Sequence, residues 1–172
     1  MTTECVKIKQ LRPIFKLPKA QTEFASGLDL RYCGELPITI PQYHLGVRIM
    51  LPLGFSMELP PGYEAQIRPR SGLAAKNGLT ILNAPGTIDA DYRSEVCAIL
   101  VRTSTSKLTI NEEESCVSEI IADKEFVINP GDRICQMVIQ KLPQVRLMMV
   151  DELSTTDRGE GGFGSTGGFS NA

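Results

Sequence analysis

Glycine and proline punctuate this chain too often for long helices. Pro60-Pro61-Gly62, Pro85-Gly86 and Pro130-Gly131 each mark a turn, and the apolar runs between such points are short. Tyr63, Ala65 and Ile67 alternate with Glu64, Gln66 and Arg68, the period of a half-buried strand. Further strands are expected within residues 45–54, 95–101, 107–110, 126–128, 134–142 and 145–150. Only residues 72–78, GLAAKNG, read as helical, for little more than a turn. Many short strands at this spacing predict an all-β sandwich or barrel.

The 172 residues suffice for one domain with its own core. A net charge of −2 gives no general attraction to nucleic acid or to an anionic membrane, so a phosphate ligand must be met by local basic residues. No apolar run reaches the length of a membrane span, and the start lacks the apolar core of a signal peptide. Cys5, Cys33, Cys97, Cys116 and Cys135 are odd in number and form no C-x-x-C pair, which points to a reduced, cytoplasmic protein. One histidine, His44, and no thiol cluster argue against zinc; His44 reads as a surface or strand-end residue. Residues 104–124 are polar and acidic around Glu112-Glu113-Glu114 and read as a loop or hairpin excursion. From Ser154 on, turn and flexible residues dominate, which divides the chain into a body, residues 1–153, and a flexible arm, residues 154–172.

Five stretches carry chemistry. In RPRSGLA (68–74), Arg70 offers a fork of donors matched to phosphate, Ser71 a hydroxyl, and Gly72 close backbone approach; a strand-end turn with solvated arginines fits equally well. In NAPGTIDADYRSEV (83–96), Pro85-Gly86 forces a turn. Asp89 and Asp91 share a face if the chain there is extended, and a carboxylate beside a phosphate can take a proton from water. Tyr92 suits a sugar or base, although a plain hairpin turn uses the same residue types. GDRICQMVIQ (131–140) is a turn and a strand in which Arg133 and Asp132 pair with neighbours and Gln136 is an ordinary strand residue or a ligand. In ASGLDL (25–30), Asp29 faces away from Leu28 and Leu30, to hold a metal-bound water or to satisfy strand-end backbone. RGEGGFGSTG (158–167) matches G-x-G-x-x-G literally but has no following helix or second strand, so it is not a dinucleotide loop. Its Arg158, Phe163, Ser165 and Thr166 nevertheless suit an anion and a ring.

Taken together and in order, SGLDL, PRSGLA, TIDADYRSEV, GDRICQ and RGEGGFGSTG resemble the five motifs of the homotrimeric dUTPases, from about Phe24 to Gly167. The resemblance implies a jelly-roll-like β-barrel and a homotrimer with three sites between subunits. It implies Mg²⁺-assisted hydrolysis of dUTP to dUMP and diphosphate, which limits uracil in DNA and supplies dUMP for thymidylate synthesis. Asp89 would be the general base. Asn83, the backbone at Thr87 and Ile88, and the strand backbone at Cys97 would line the uracil site, with Tyr92 packed on the deoxyribose. Arg70, Ser71, Gly72 and Gln136 would hold phosphates, and Asp29 a metal-bound water. Arg158, Gly164, Ser165 and Thr166 would close on the γ-phosphate while Phe163 stacks on uracil, which makes the arm a lid ordered by the nucleotide. Nucleic acid and membrane are not expected partners.

The sequence departs from the family pattern at Ser94, where Gly is usual, at Thr87, where an aliphatic residue is common, and in the length of residues 104–124. A dCTP deaminase-like enzyme is the nearest alternative on this scaffold, but those relatives lack the RGEGGFGSTG ending. A regulatory binding protein on the same scaffold is the other alternative, against which intact Asp89 argues.

Overall fold

The structure is a computed structural model; it describes residues 4–41, 46–103, 106–111, 116–121 and 125–161. His44 lies outside these, as do Phe163, Gly164, Ser165 and Thr166. The elements are β1 (Lys7–Gln10), β2 (Leu28–Arg31), β3 (Ile38–Ile40), β4 (Arg48–Pro52), β5 (Phe55–Glu58), β6 (Tyr63–Pro69), α1 (Ser71–Asn77), β7 (Leu79–Ile81), β8 (Gly86–Ile88), β9 (Cys97–Arg102), β10 (Ser106–Asn111), β11 (Cys116–Ile121), β12 (Phe126–Ile128) and β13 (Arg133–Lys141).

Two sheets position the site. One runs β2-β13-β6-β8 and the other β4-β9-β7, with every pairing antiparallel. Shorter pairs, β1-β5, β3-β12 and β10-β11, complete the described ladders. The core lies where the apolar faces meet. Phe55, Leu51 and Leu53 are buried there with Ala65 and Ile67 of β6, Leu100 of β9, and Cys135 and Met137 of β13. β6 forms as its period predicts, with Ala65 and Ile67 inward and Gln66 and Arg68 on the other face, where Arg68 donates to the Gln66 side chain.

β13 breaks that period once. Its pairing with β2 runs Met137↔Leu28, Gln136↔Asp29, Cys135↔Leu30, then jumps to Arg133↔Arg31. Ile134 is the extra residue of a β-bulge, and its side chain is buried. Strict alternation would send Arg133 to the core side with Cys135. The bulge instead turns it outward, onto the face of Asp29 and Gln136.

The short helix α1 starts directly after Arg70, whose backbone is extended, and carries no side-chain cap. It ends at Gly78, whose left-handed φ of 63° returns its N–H to Ala74 O. Residues 104–124 contain the antiparallel pair β10-β11 (Ser106↔Ile121 to Asn111↔Cys116), so the excursion is a hairpin. One expected strand is absent. Residues 145–150 form no ladder, and Leu147 is 94% and Met149 100% exposed. A strand needs a partner edge to satisfy its backbone, and among the described residues no strand pairs with that segment.

Candidate functional site

The outer ends of β2, β6 and β13 bring charged groups together around one cleft of about 450 Å³. Asp29 sits at its centre, its side chain only 14% exposed. Arg70 Nε approaches Asp29 Oδ1 at 3.2 Å and Arg133 Nη1 donates to Asp29 Oδ2 at 2.9 Å. Arg70 Nη1 also donates to the Arg133 carbonyl at 3.0 Å. Both guanidinium groups are thereby fixed by one carboxylate, and Arg70 keeps its Nη2 donors uncommitted among the described residues. Two cations and one anion leave the cleft net positive.

Gln136 Nε2 donates to the Pro69 carbonyl at 2.9 Å, which leaves its second amide hydrogen for a ligand. Gly27 lies beside it, where a Cβ would meet the tip of the Gln136 side chain and oblige that amide to shift. Ser71 and Gly72 are exposed at the start of α1 and line the same cleft. A Cβ at Gly72 would meet nothing within 4 Å, so any demand for glycine there comes from what enters the cleft. Arg133, Gln21 and Gly27 join the cleft without having been singled out as site residues in the sequence. The Arg133 signal was hidden by the bulge, since period-2 counting puts it on the wrong face.

A second group gathers at the turn region between β7 and β9. β7 belongs to one sheet and β8 to the other, so residues 82–85 cross between them. Asn83 packs its amide over Gly86, where a Cβ would stand 3.1 Å from Nδ2. Thr87 and Ile88 lie on β8 opposite Gln66 and Ala65. The chain then turns. Tyr92 N–H donates to the Asp89 carbonyl at 3.1 Å, so Asp89 and Asp91 do not lie on an extended segment and do not share a strand face. Asp89 is exposed, and among the described residues its carboxylate makes no hydrogen bond or ion pair. The Tyr92 hydroxyl donates to the Glu95 carbonyl at 3.1 Å. Glu95 in turn is gripped by Arg12, Nε to Oε1 at 2.6 Å and Nη2 to Oε2 at 2.9 Å, with Gly54 N–H at 3.1 Å. The Arg12 hydrogen bonds hold the Glu95 carboxyl below the usual carboxylate range, against burial. Cys97 opens β9, and burial raises its thiol pKa.

Asp89 and Arg70 lie far apart within one chain. β6 and β8 pair Ala65↔Ile88, so Asp89 falls one step further, beside Glu64. Arg70 is six residues along from Glu64, about 20 Å at roughly 3.3 Å per residue. Arg158 belongs to neither group. It sits on an exposed turn, where its Nε donates to the Gly161 carbonyl at 2.9 Å. No group of three or more His, Cys, Asp or Glu is placed to hold a metal among the described residues.

A cationic cleft on an all-β frame, with backbone-rich turns at a distance, defines a β-barrel protein suited to a phosphate-bearing ligand. The family model described as dUTPase matches residues 14–123 and 120–167. The deoxyuridine 5'-triphosphate nucleotidohydrolase of Rickettsia bellii is 45% identical over 97% of this chain and 98% of the relative. That of Hydrogenobaculum sp. is 46% identical over 93% and 96%. Among solved structures, a variant of the Staphylococcus bacteriophage 80alpha dUTPase with dUpNHpp superposes with a TM-score of 0.74 at 24% identity, covering 96% of this chain and 99% of that one. A variant dUTPase of phage phi11 of S. aureus, described with a structural Mg(II) ion, gives 0.65 at 20% identity, over 88% and 99%. This chain belongs to the dUTPase family. Its fold is the jelly-roll-like β fold of those structures.

Proposed function

We propose that the chain hydrolyses dUTP to dUMP and diphosphate, by attack of water on the α-phosphorus. The observation that carries this reading is the Asp29–Arg70–Arg133–Gln136 cluster, a prebuilt anion grip that falls within the two-part family match. Arg70, the Ser71 hydroxyl, the Gly72 N–H and Gln136 hold phosphate oxygens. Asn83, the backbone of Thr87 and Ile88, and the strand start at Cys97 receive uracil, and Tyr92 packs on the deoxyribose. Asp89 takes the proton from the attacking water and orients it. Arg158 with Phe163, Gly164, Ser165 and Thr166 closes over the nucleotide as a lid, residues 154–172 acting as an arm on the 1–153 body. Closure excludes water, so the charged contacts inside gain strength. Positioning and charge stabilisation then supply most of the rate.

The residues fit magnesium in one manner only. Asp29 Oδ2 accepts a hydrogen bond from Arg133 and Oδ1 lies 3.2 Å from Arg70 Nε in an ion pair, so two cations already share its charge and each oxygen keeps lone-pair capacity for a metal-bound water. Mg²⁺ characteristically keeps several waters and binds substrate phosphates, and there it would neutralise charge on the triphosphate. The same activity limits uracil in DNA and supplies dUMP for thymidylate synthesis.

The separation of about 20 Å between Asp89 and Arg70 supports a composite site in a homotrimer, Asp89 from one subunit facing Arg70 of another. The bare apolar segment 145–150 supports the same reading, since exposed runs of this kind mark interfaces. Diphosphate and ammonia release from dUTP and dCTP tests the function. Diphosphate from dUTP without ammonia is the expected result; ammonia from dCTP would replace the proposal with deamination.

A further inference from the structure

A second cavity, about 480 Å³, adjoins the phosphate cleft and shares Gln21 and Asp29 with it. Its other charged lining is Lys16, Lys19 and Arg31. Lys16 and Lys19 lie on the irregular segment between β1 and β2 and are exposed, and neither makes an ion pair among the described residues. Arg31 donates one guanidinium hydrogen to the Gly131 carbonyl at 2.6 Å and keeps its charge unmatched by any described carboxylate. The single anion in the wall, Asp29, is already committed to Arg70 and Arg133. The cavity therefore presents three cations on a concave surface whose one carboxylate, Asp29, is already paired with Arg70 and Arg133. A concave wall of one sign concentrates the opposite ion beyond what scattered surface charges do. The two lysines also have long flexible stems and rotatable donors, suited to a ligand that arrives in more than one pose.

We propose that the Lys16–Lys19–Arg31 cavity is a second polyphosphate subsite, which takes up diphosphate as it leaves the Arg70 cleft. The identity of the polyanion rests on the dUTP-hydrolysing reading; the affinity for diphosphate rests on the cavity alone. The subsite acts on one product and not the other, because dUMP carries its charge beside the uracil turns and does not reach past Asp29.

The test is calorimetric titration of the full-length protein with inorganic diphosphate and, separately, with dUMP. The variant is Lys16→Gln with Lys19→Gln, two exposed substitutions that leave the core untouched. Diphosphate affinity should fall roughly three- to tenfold, as expected for two solvent-facing charge contacts, while dUMP affinity stays unchanged. Lys16→Arg with Lys19→Arg should restore diphosphate binding. Unchanged diphosphate affinity in the glutamine variant overturns the subsite, and so does a loss shared equally by dUMP. Absence of dUTP hydrolysis in the parent protein would instead refute the proposed function, with the diphosphate titration still reading the subsite.

Discussion

The phosphate cleft and the turn that carries Asp89 are built on opposite plans. In the cleft, the charged and amide side chains are held within the chain: Asp29 pairs with two arginines, the Pro69 carbonyl accepts from Gln136, and Gly27 leaves room for it. Around Asp89 the backbone is tied down instead. Tyr92 N–H closes the turn, Arg93 Nη1 donates to the Ala90 carbonyl at 2.7 Å, and the Arg12–Glu95 pair anchors its far end. The Asp89 side chain itself is left exposed. The groups proposed to bind phosphate are thus preset within the chain, whereas the proposed proton acceptor stands exposed on a hydrogen-bonded turn. In the proposed trimer the two would meet across subunits.

The sharpest way to break this contrast is Asp89→Asn. It removes the base and keeps the shape, so kcat should fall by roughly two to four orders of magnitude with nucleotide binding preserved. Near-normal turnover, measured by diphosphate release, would move the base elsewhere, to Asp91 first. Next in size is complementation between two inactive variants. Asp89→Asn and Arg70→Gln subunits, unfolded together and refolded in equal amounts, should recover activity in about a quarter of sites. In the proposed composite site the base and the arginine come from different chains, and each choice is correct half the time in a symmetric ring. No recovery, with mixed trimers confirmed by mass, would place both residues of a site on one chain.

A smaller effect is expected from Gly27→Ala. The new methyl displaces the Gln136 amide, and the lost bond plus local strain should cost about 1–3 kcal/mol of stability. Thermal melts of Gly27→Ala and of the double variant with Gln136→Ala separate the causes. If the double variant is no more stable than Gly27→Ala, overlap with Gln136 is not the reason.

The smallest is the Arg12–Glu95 clamp, a partly exposed pair worth roughly 0.5–1 kcal/mol. Its folded-state carboxyl pKa is depressed, so its stabilisation is full above about pH 4.3, the ordinary glutamate value, and is lost as pH falls further. The Tm gap between the parent and Glu95→Gln should therefore be open at neutral pH and close in acid. A gap that widens in acid would reverse the sign of the clamp's effect.

Where the period was clean, sequence and structure agree. β12 is the FVI run, β6 follows its alternation, and α1 occupies the one helical stretch. The 145–150 run has strand composition but joins no ladder among the described residues, and pairing is not a property of composition. Asp29, Arg70, Ser71, Gly72 and Gln136 were legible as residues, and the structure brings all five to one cleft. That Arg133 joins them was not legible, because a bulge leaves no mark in the residue types around it. The 20 Å gap was equally invisible, since it depends on which end of β6 meets β8.

The bulge also brings chain length, and not only residue identity, to bear on this cleft. Arg133 and Gln136 are three apart, an odd interval that an unbroken strand would split between its two faces. Ile134 corrects the parity. A chain with one residue fewer between Arg133 and Gln136 would pair as an unbroken strand with those two side chains two apart and still on one face, so it would keep the cleft and lose the buried Ile134 side chain. Arg133 consequently reaches the cleft at two chain lengths, with the bulge at the present one and without it when Ile134 is removed. Deletion of Ile134, read by folded yield and diphosphate release, should lower the yield through the missing buried side chain while the folded fraction keeps its activity, and a well-folded but inactive deletion would show that Arg133 depends on the bulge itself.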